Sequence, residues 1–512
     1  MNLELLQQEN LLLKAQVESF EKLVASLQEA LKWTEAKYAA LEKKVYGSSS
    51  ERVTQEDLRQ FLPGINVQGE VYSEPKSQKI TIDRKKQSLE KAAPLRGEIP
   101  AHIERRRIEI PAPEAVLNNP HAWEKIGEQV TERIGIDPAN VFCEQLVIGK
   151  YKSREERNLL VQSPVPPTLG DKCLATPEVG VHVVLQKFDL HLPYYRQRKH
   201  WKETYGVWIH ESTFESWGNL TLDLLVPLAE RVKLQVLASK YLQIDETPID
   251  VLDPEVKGTT ATGQFFVYSV PGKELFFDWQ MSRGHQSVKE TLQNFLGSVQ
   301  SDGYSVYETI SNLRPDLNYL ACWAHVRRKF IMAFDQKDPQ AAWFVEKIGK
   351  LYEIESRLRE VKASLEERKS LRQNEAIPIL DEIKVRLDQL HPTVLLKSHI
   401  GKAVAYAHKL WKKLIVYVTD GIYEIDNNGV ENAIRPSAIG KKNYLFVGAP
   451  GVGQRHAAIY TLIGSCRRLA INPHEYIPAV VKELCGLKVK GLQELDRLTP
   501  REWLKYQAIP VA

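Results

Sequence analysis

Residues 241–252 read YLQIDETPIDVL, followed by GQFFVYSV at 263–270 and KELFFDWQM at 273–281. These β-rich runs, with turn residues Gly258, Gly263, Pro271 and Gly272 between them, predict a three-stranded meander whose first strand carries Asp245. Downstream, VKETLQNFLG at 288–297 has the apolar spacing of an amphipathic helix. SVQSDGYSVY at 298–307 then sets Asp302 at the end of a short strand. Glu431 lies in IDNNGVENAIRP at 425–436, on a helix expected to open at Asn427 or Asn428.

The order strand, strand, strand, helix, strand matches a ribonuclease H-like core and sets the fold class as α/β (α+β). Divalent ions about 3.5–4 Å apart activate an attacking oxygen and stabilise a leaving one, and they need hard oxygen ligands converging from several elements. Asp245, Asp302 and Glu431 supply three. Each alone reads equally as an ordinary strand-end or cap carboxylate. Asp420, Glu424 and Asp426 compete with Glu431 for the third place. Asp426, however, precedes Asn427 and Asn428 in a segment suited to capping, and a carboxylate aimed at helix N–H groups cannot easily serve a metal.

The chain has 512 residues, enough for two to four domains with ample apolar side chains to bury. Its net charge of +4, from 69 Lys+Arg against 65 Asp+Glu, excludes coating of nucleic acid by bulk charge, so any binding must use local basic patches. Five cysteines without a C-x-x-C pair imply a reduced compartment. The start, MNLELLQQEN, has no basic n-region with an apolar run, and no stretch of eighteen uncharged apolar residues occurs. A soluble, cytoplasmic protein is expected.

Leu6, Leu13, Phe20, Leu27, Thr34 and Leu41 fall seven apart, with Asn10, Val17, Val24, Leu31, Tyr38 and Val45 in the alternate seam. Leucine at most d sites and valine at three a sites favour a parallel two-stranded coiled coil over 1–46, with Asn10 setting register. A homodimer through this segment is expected. From Gly47 to about residue 100, Pro63, Gly64, Pro75 and the cations Lys76, Lys79, Arg84, Lys85 and Lys86 read as a linker. Arg105, Arg106 and Arg107 alternate with Ile103, Ile108 and Ile110, either as an edge strand facing phosphate or as a solvated charge run.

Residues 185–220 look like a helix-turn-helix: LPYYRQRKHWKETYG ends at Gly206, and HESTFESWGNLTLDLL follows, with Ser212 as its cap and Glu215 closing a capping box. Arg196, Arg198, Lys199 and Lys202 crowd the first helix beside Tyr194, Tyr195 and Trp201, as DNA contact requires. A helix pair within a core has the same pattern. LNYLACWAHVRRKF at 317–330 reads as a buried strand running into a basic helix. Cys322 and His325 are spaced as C-x-x-H, but two ligands make no zinc site; both are expected to pack, with Arg327 and Arg328 facing DNA. The interval from Phe334 to Val418 is rich in Leu, Lys, Glu and Ala at helical spacing and reads as a helical insertion.

LFVGAPGVGQRHA at 445–457 has the glycines of a phosphate-binding loop. Gln454 and Arg455 stand where Lys and Ser/Thr would reach phosphate and Mg²⁺, so a plain glycine turn is expected. Flanking Lys441, Lys442 and Arg435 fit the wall of a DNA channel, and Arg435, one turn beyond Glu431, shares its helix face.

The blocks IDETPI, SDGY, CWAHVRRKF and DNNGVENAIRPSAIGKKNYLFVG, with LHLPYYRQ upstream, resemble the signature of the insertion sequence sixty-six family of DDE transposases. The similarity runs from the first residues to about position 480. It implies Asp245, Asp302 and Glu431 as the catalytic and metal-binding triad, with Asp245 and Asp302 bridging or sharing two Mg²⁺ ions (Mn²⁺ being the alternative) and Glu431 completing the second ion's coordination. It implies double-stranded DNA as partner, both element ends and target, with small accessory proteins of the same element. The implied reaction is hydrolysis to free a 3′-hydroxyl at each element end, then attack of that hydroxyl on target DNA. Relatives usually carry paired cysteines for a structural zinc near 115–175; only Cys143 and Cys173 stand here, so no zinc is expected. The domains are then 1–46 coiled coil, 47–114 linker and basic segment, 115–175 degenerate zinc-binding-like module and 176–235 helix-turn-helix-like region. The catalytic core takes 236–333 and 423–480, interrupted by the helical insertion at 334–422, and 481–512 forms a tail. Two alternatives share these features: a structure-selective nuclease on the same core, or an inactive transposase-derived DNA-binding regulator.

Overall fold

The computed structural model describes residues 99–507, apart from 138–139, 156–158, 171–172, 254, 256–259, 304 and 487–491. The heptad segment 1–46 and most of the linker lie outside the described residues. Strand β1 (Glu104–Glu109), helix α1 (Glu114–Asn118) and strands β2 (Trp123–Asp137), β3 (Asn140–Ser153) and β4 (Leu160–Gln162) come first. β2 and β3 form a long antiparallel hairpin; β1 runs parallel to β3, and β4 antiparallel to it. β1 is thus an edge strand, but its cations are engaged within the protein. Arg105 donates to the carbonyls of Ile99 and Pro100 and to Glu132, Arg106 stacks on the Phe142 ring and Arg107 lies by Glu128. Cys143 is wholly buried, and burial pushes its thiol up to about 11.

Helices α2 (Pro177–Phe188), α3 (Tyr194–Tyr205) and α4 (Glu211–Leu237) follow. Gly206, at φ +67°, ends α3 in the left-handed conformation that glycine takes without strain, as the sequence led us to expect. The cap of α4 differs from expectation. His210 holds that position, its ring accepting from the Ser212 N–H at 3.2 Å, while Glu215 is exposed. Phe214, Trp217, Leu225, Leu228, Val232 and Val236 line one stripe of α4 and bury it in the main core.

Strands β5 (Tyr241–Val251), β6 (Ala261–Ser269) and β7 (Leu275–Gln280) form the expected meander. Helix α5 (His285–Thr291) is shorter and earlier than the 288–297 pattern predicts, because Leu292 and Phe295 are buried from the turn that follows it. Then come β8 (Ser298–Ser301), α6 (Ser305–Leu313), β9 (Asn318–Ala321) and α7 (Trp323–Phe334). The sheet order is β7-β6-β5-β8-β9, with β5, β8 and β9 mutually parallel. β6 is buried along almost its whole length, which explains its unbroken apolar run.

Helices α8 (Pro339–Glu360), α9 (Leu365–Leu371), α10 (Ile377–Leu390) and α11 (His399–Leu414) fill the interval read as helical. They surround a second core of Phe330, Phe344, Ile348, Leu351, Ile383, Val404 and Trp411. Inside it Arg372 meets Glu355 through two bonds of 2.7 and 2.8 Å, both side chains being wholly buried. Arg372 also donates to the Tyr417 and Asp420 carbonyls.

Helix α12 (Asn428–Tyr444), strand β10 (Phe446–Val447) beside the end of β5, and helices α13 (Gly453–Arg468), α14 (Pro473–Gly486) and α15 (Pro500–Gln507) complete the chain. The glycine turn before α13 is sealed rather than open: Gln454 donates to Glu230 and Arg455 pairs with Asp223, both carboxylates on α4. The described residues past 481 pack on the main fold. Arg231 pairs with Asp496, and Arg501 pairs at 2.5 Å with Glu274, which is fully buried in the β6–β7 turn. No helix among the described residues is long and apolar enough to cross a membrane.

Two substitutions test this packing. Arg372→Met strands the Glu355 carboxylate without its cation and is expected to cost about 3–5 kcal/mol in chemical denaturation. Gly453 packs against the Trp279 indole so closely that a Cβ would overlap the ring; Gly453→Ala should cost about 1–3 kcal/mol by overpacking, and a neutral result would refute the contact.

Candidate active site

β8 pairs with β5 only from Tyr241 to Gln243, so Asp245 lies just past the end of the parallel ladder and Asp302 just past the end of β8. Both carboxylates therefore stand at the C-terminal edge of one parallel strand pair, where a crevice opens. Glu431 arrives on the first turn of α12. Burial pushes the Asp245 carboxyl up to about 8, and the charges of Glu246, Glu431 and Asp302 push the same way. Asp302 and Glu431 thus lie close enough to Asp245 for their charges to act on it.

A buried amide network holds them there. Tyr241 Oη and Gln243 Nε2 both donate to Gln300 Oε1, at 2.6 and 2.9 Å. Gln243 also donates to the Asp426 carbonyl and Gln300 to that of Glu424, at 2.7 and 2.8 Å, so neutral groups stitch β5 and β8 to the segment that launches α12. Sequence reasoning missed Tyr241, Gln243 and Gln300. The signal was present as a repeated Gln-x-Asp, Gln243-Ile244-Asp245 and Gln300-Ser301-Asp302, where the β5–β8 pairing ends.

The competing acids are committed elsewhere. Asp426 accepts from the Asn428 N–H at 3.1 Å, as its capping position led us to expect, Glu424 takes Arg368 at 2.8 Å, and Asp420 accepts from the Ile422 N–H. Glu246, 4% exposed, is gripped by Arg283 at 2.7 Å and Tyr307 at 2.8 Å. Glu431 instead has a buried Oε1 with no hydrogen-bond partner, 3.8 Å from His325 Nδ1, while Arg328 lies 3.6 Å from Oε2. Cys322, His325 and Glu431 bring their ligating atoms within 4.8 Å of one another. Cys322 packs as expected: burial pushes its thiol up to about 12 and its sulfur accepts the Asn427 N–H. His325 is half-buried and turns toward Glu431. The three carboxylates offer the hard oxygen donors that suit Mg²⁺ or Mn²⁺, and the unpartnered Glu431 oxygen fits that use.

The cations read as DNA contacts divide. Arg196, Lys199 and Lys202 are exposed on α3, Arg198 is half-buried, and Arg196 reaches Asn443 at 3.1 Å, joining α3 to the far end of α12. Arg435 and Lys442 are exposed on α12, whereas Lys441 donates to the Pro248 carbonyl at 2.7 Å. Arg327 is half-buried, and Arg328 faces the acidic site itself. The first twenty residues of α4 contain no Lys or Arg, and Ser212, Glu215, Ser216 and Asp223 are exposed there.

The chain is similar to three proteins of Sinorhizobium fredii (strain NBRC 101917 / NGR234). It is 29% identical to uncharacterized protein y4jD, covering 80% of this chain and 82% of that one. It is 26% identical to uncharacterized protein y4hP over 93% and 90%, and 29% identical to uncharacterized protein y4qI over 69% and 67%. The model of the Transposase IS66 family matches residues 172–455, a span that contains Asp245, Asp302, Glu431 and the network that joins them. With more than half its length matched, the chain belongs to the Transposase IS66 family.

Proposed function

We propose that this protein is a DDE transposase that cleaves DNA at the ends of an insertion sequence and joins them to target DNA. The observation that carries the reading is the convergence of Asp245, Asp302 and Glu431 from β5, the end of β8 and α12. The sheet order β7-β6-β5-β8-β9, antiparallel then parallel, supports a ribonuclease H-like core. Divalent ions, when bound, activate the attacking oxygen and stabilise the leaving one. Asp245 and Asp302 would hold ions in common, and Glu431 would complete the coordination of the second ion. Asp245, whose carboxyl burial pushes up to about 8, would hold a cation in its ionised form. Arg328, 3.6 Å from Glu431, would place a guanidinium beside a phosphate brought to the site. DNA would lie along α3 and α12, contacting Arg196, Arg198, Lys199, Lys202, Arg435 and Lys442, with Arg327 and Lys441 at its margin. The acidic and polar start of α4 favours phosphate contact by α3 over base reading by α4. The 1–46 heptads would pair two chains in the cytoplasm, so that two element ends are processed together.

A strand-transfer assay with labelled element ends and Mg²⁺ tests this: joined products are expected, whereas cut products alone indicate a nuclease and bound but unchanged DNA a regulator. Asp245→Asn and Glu431→Gln should each lower cleavage by orders of magnitude while DNA binding in a gel-shift titration hardly changes. Asp426→Asn, which keeps a capping oxygen, should cleave and lose only a fraction of about 1 kcal/mol in stability. An inactive, folded Asp426→Asn beside a fully active Glu431→Gln would move the third ligand to Asp426. Separately, deletion of residues 1–46 should convert a dimer to a monomer by light scattering; a dimeric deletion variant assigns assembly to another surface.

A further inference from the structure

Asp302 stands on a loop, and that loop is fixed from several sides. Ser301 Oγ donates to the Asp302 carbonyl at 3.1 Å. Tyr307, on α6, donates to Glu246 at 2.8 Å and so ties the loop's far end to the residue beside Asp245. The remaining anchor comes from the helical insertion. The Gly303 N–H donates to Tyr406 Oη at 3.0 Å, from 103 residues away in sequence. A Cβ at position 303 would overlap the Tyr406 ring, so only glycine lets the backbone come this near. Lys329 Nζ lies over the ring, 4.4 Å from its centroid, and helps to keep it in place. One turn further along α11, Lys409 pairs with Glu308 of α6 at 2.6 Å, so the same helix face holds both the loop and the helix after it. Burial keeps the Tyr406 phenol neutral, with the Asp302 charge acting in the same direction.

We infer that Tyr406 is a positioning residue for the metal site, carrying the rigid helical insertion into the loop that presents Asp302. The inference rests on the assignment of Asp302 as a metal ligand. A ligand-bearing loop already ordered before the cation arrives forfeits less entropy on binding, and outer-shell partners of ligands commonly change metal affinity tenfold or more.

The test is a calorimetric titration of the full chain with Mn²⁺ alone, without DNA, comparing wild type, Tyr406→Phe and Asp302→Asn. Tyr406→Phe keeps the ring and its stacking and removes only the acceptor oxygen. It should bind Mn²⁺ about tenfold more weakly, with the melting temperature of the metal-free protein within about 2 °C of wild type. Wild-type affinity in Tyr406→Phe, with weakened binding in Asp302→Asn, overturns the inference and leaves the carboxylate assignment standing. Unchanged affinity in Asp302→Asn overturns the assignment and the inference together. Weak binding accompanied by a larger fall in metal-free melting temperature makes Tyr406 a packing residue and overturns the inference as well.

Discussion

The demanding constraint in this fold is electrostatic: Asp245 must be held largely out of water near Asp302 and Glu431, although burial and their charges raise the cost of ionising it. No salt bridge does this for Asp245. The framework uses neutral groups instead, with Tyr241, Gln243 and Gln300 reaching the backbone of Glu424 and Asp426 through bonds of 2.6 to 3.2 Å. Amide and phenol groups can be buried at these positions without adding charge to the cluster, and fully satisfied networks of this kind fix geometry sharply. Cations stay at the margin, on Glu246, Glu424 and one side of Glu431.

The sheet was legible from residues 241–302 because its strands alternate or run apolar as their burial requires, and because glycine and proline mark the turns. Asp245 and Asp302 stood out beside it, Asp245 within the first strand of the meander and Asp302 at the end of β8. Glu431 was harder. Four acids lie within twelve residues, and only the partners of the other three separate them. The cap of α4 was misplaced because an imidazole nitrogen accepts an N–H as well as a hydroxyl does, which a search for Ser, Thr, Asp and Asn passes over. The docking of residues 492–507 was invisible because it depends on Glu274 and Arg231, more than two hundred residues earlier. Charges that read as DNA contacts in sequence, such as Arg328 and Lys441, proved to have intramolecular neighbours. Spacing along a helix gives a face, not what lies opposite it.

The helical interval between β9 and α12 has its own hydrophobic core and its own buried ion pair, so it behaves as a rigid body grafted into the sheet rather than as a long loop. It is also threaded into the main fold at several points. Tyr406 accepts the Gly303 N–H at 3.0 Å, Lys409 pairs with Glu308, and Arg368 reaches Glu424 on the approach to α12. Each contact lands on a segment that leads to a carboxylate of the candidate site.

The pairing of Glu274 with Arg501 spans 227 residues and joins a strand turn near the middle of the chain to its last helix. At roughly 5–20 residues per second, a ribosome needs about ten to forty-five seconds to deliver the arginine after the glutamate. Throughout that interval the nascent meander carries an acid that its finished core would bury, and the cation for it has yet to be made. A product cut short before residue 501 never receives that cation, and burying Glu274 without it lowers the stability of the fold.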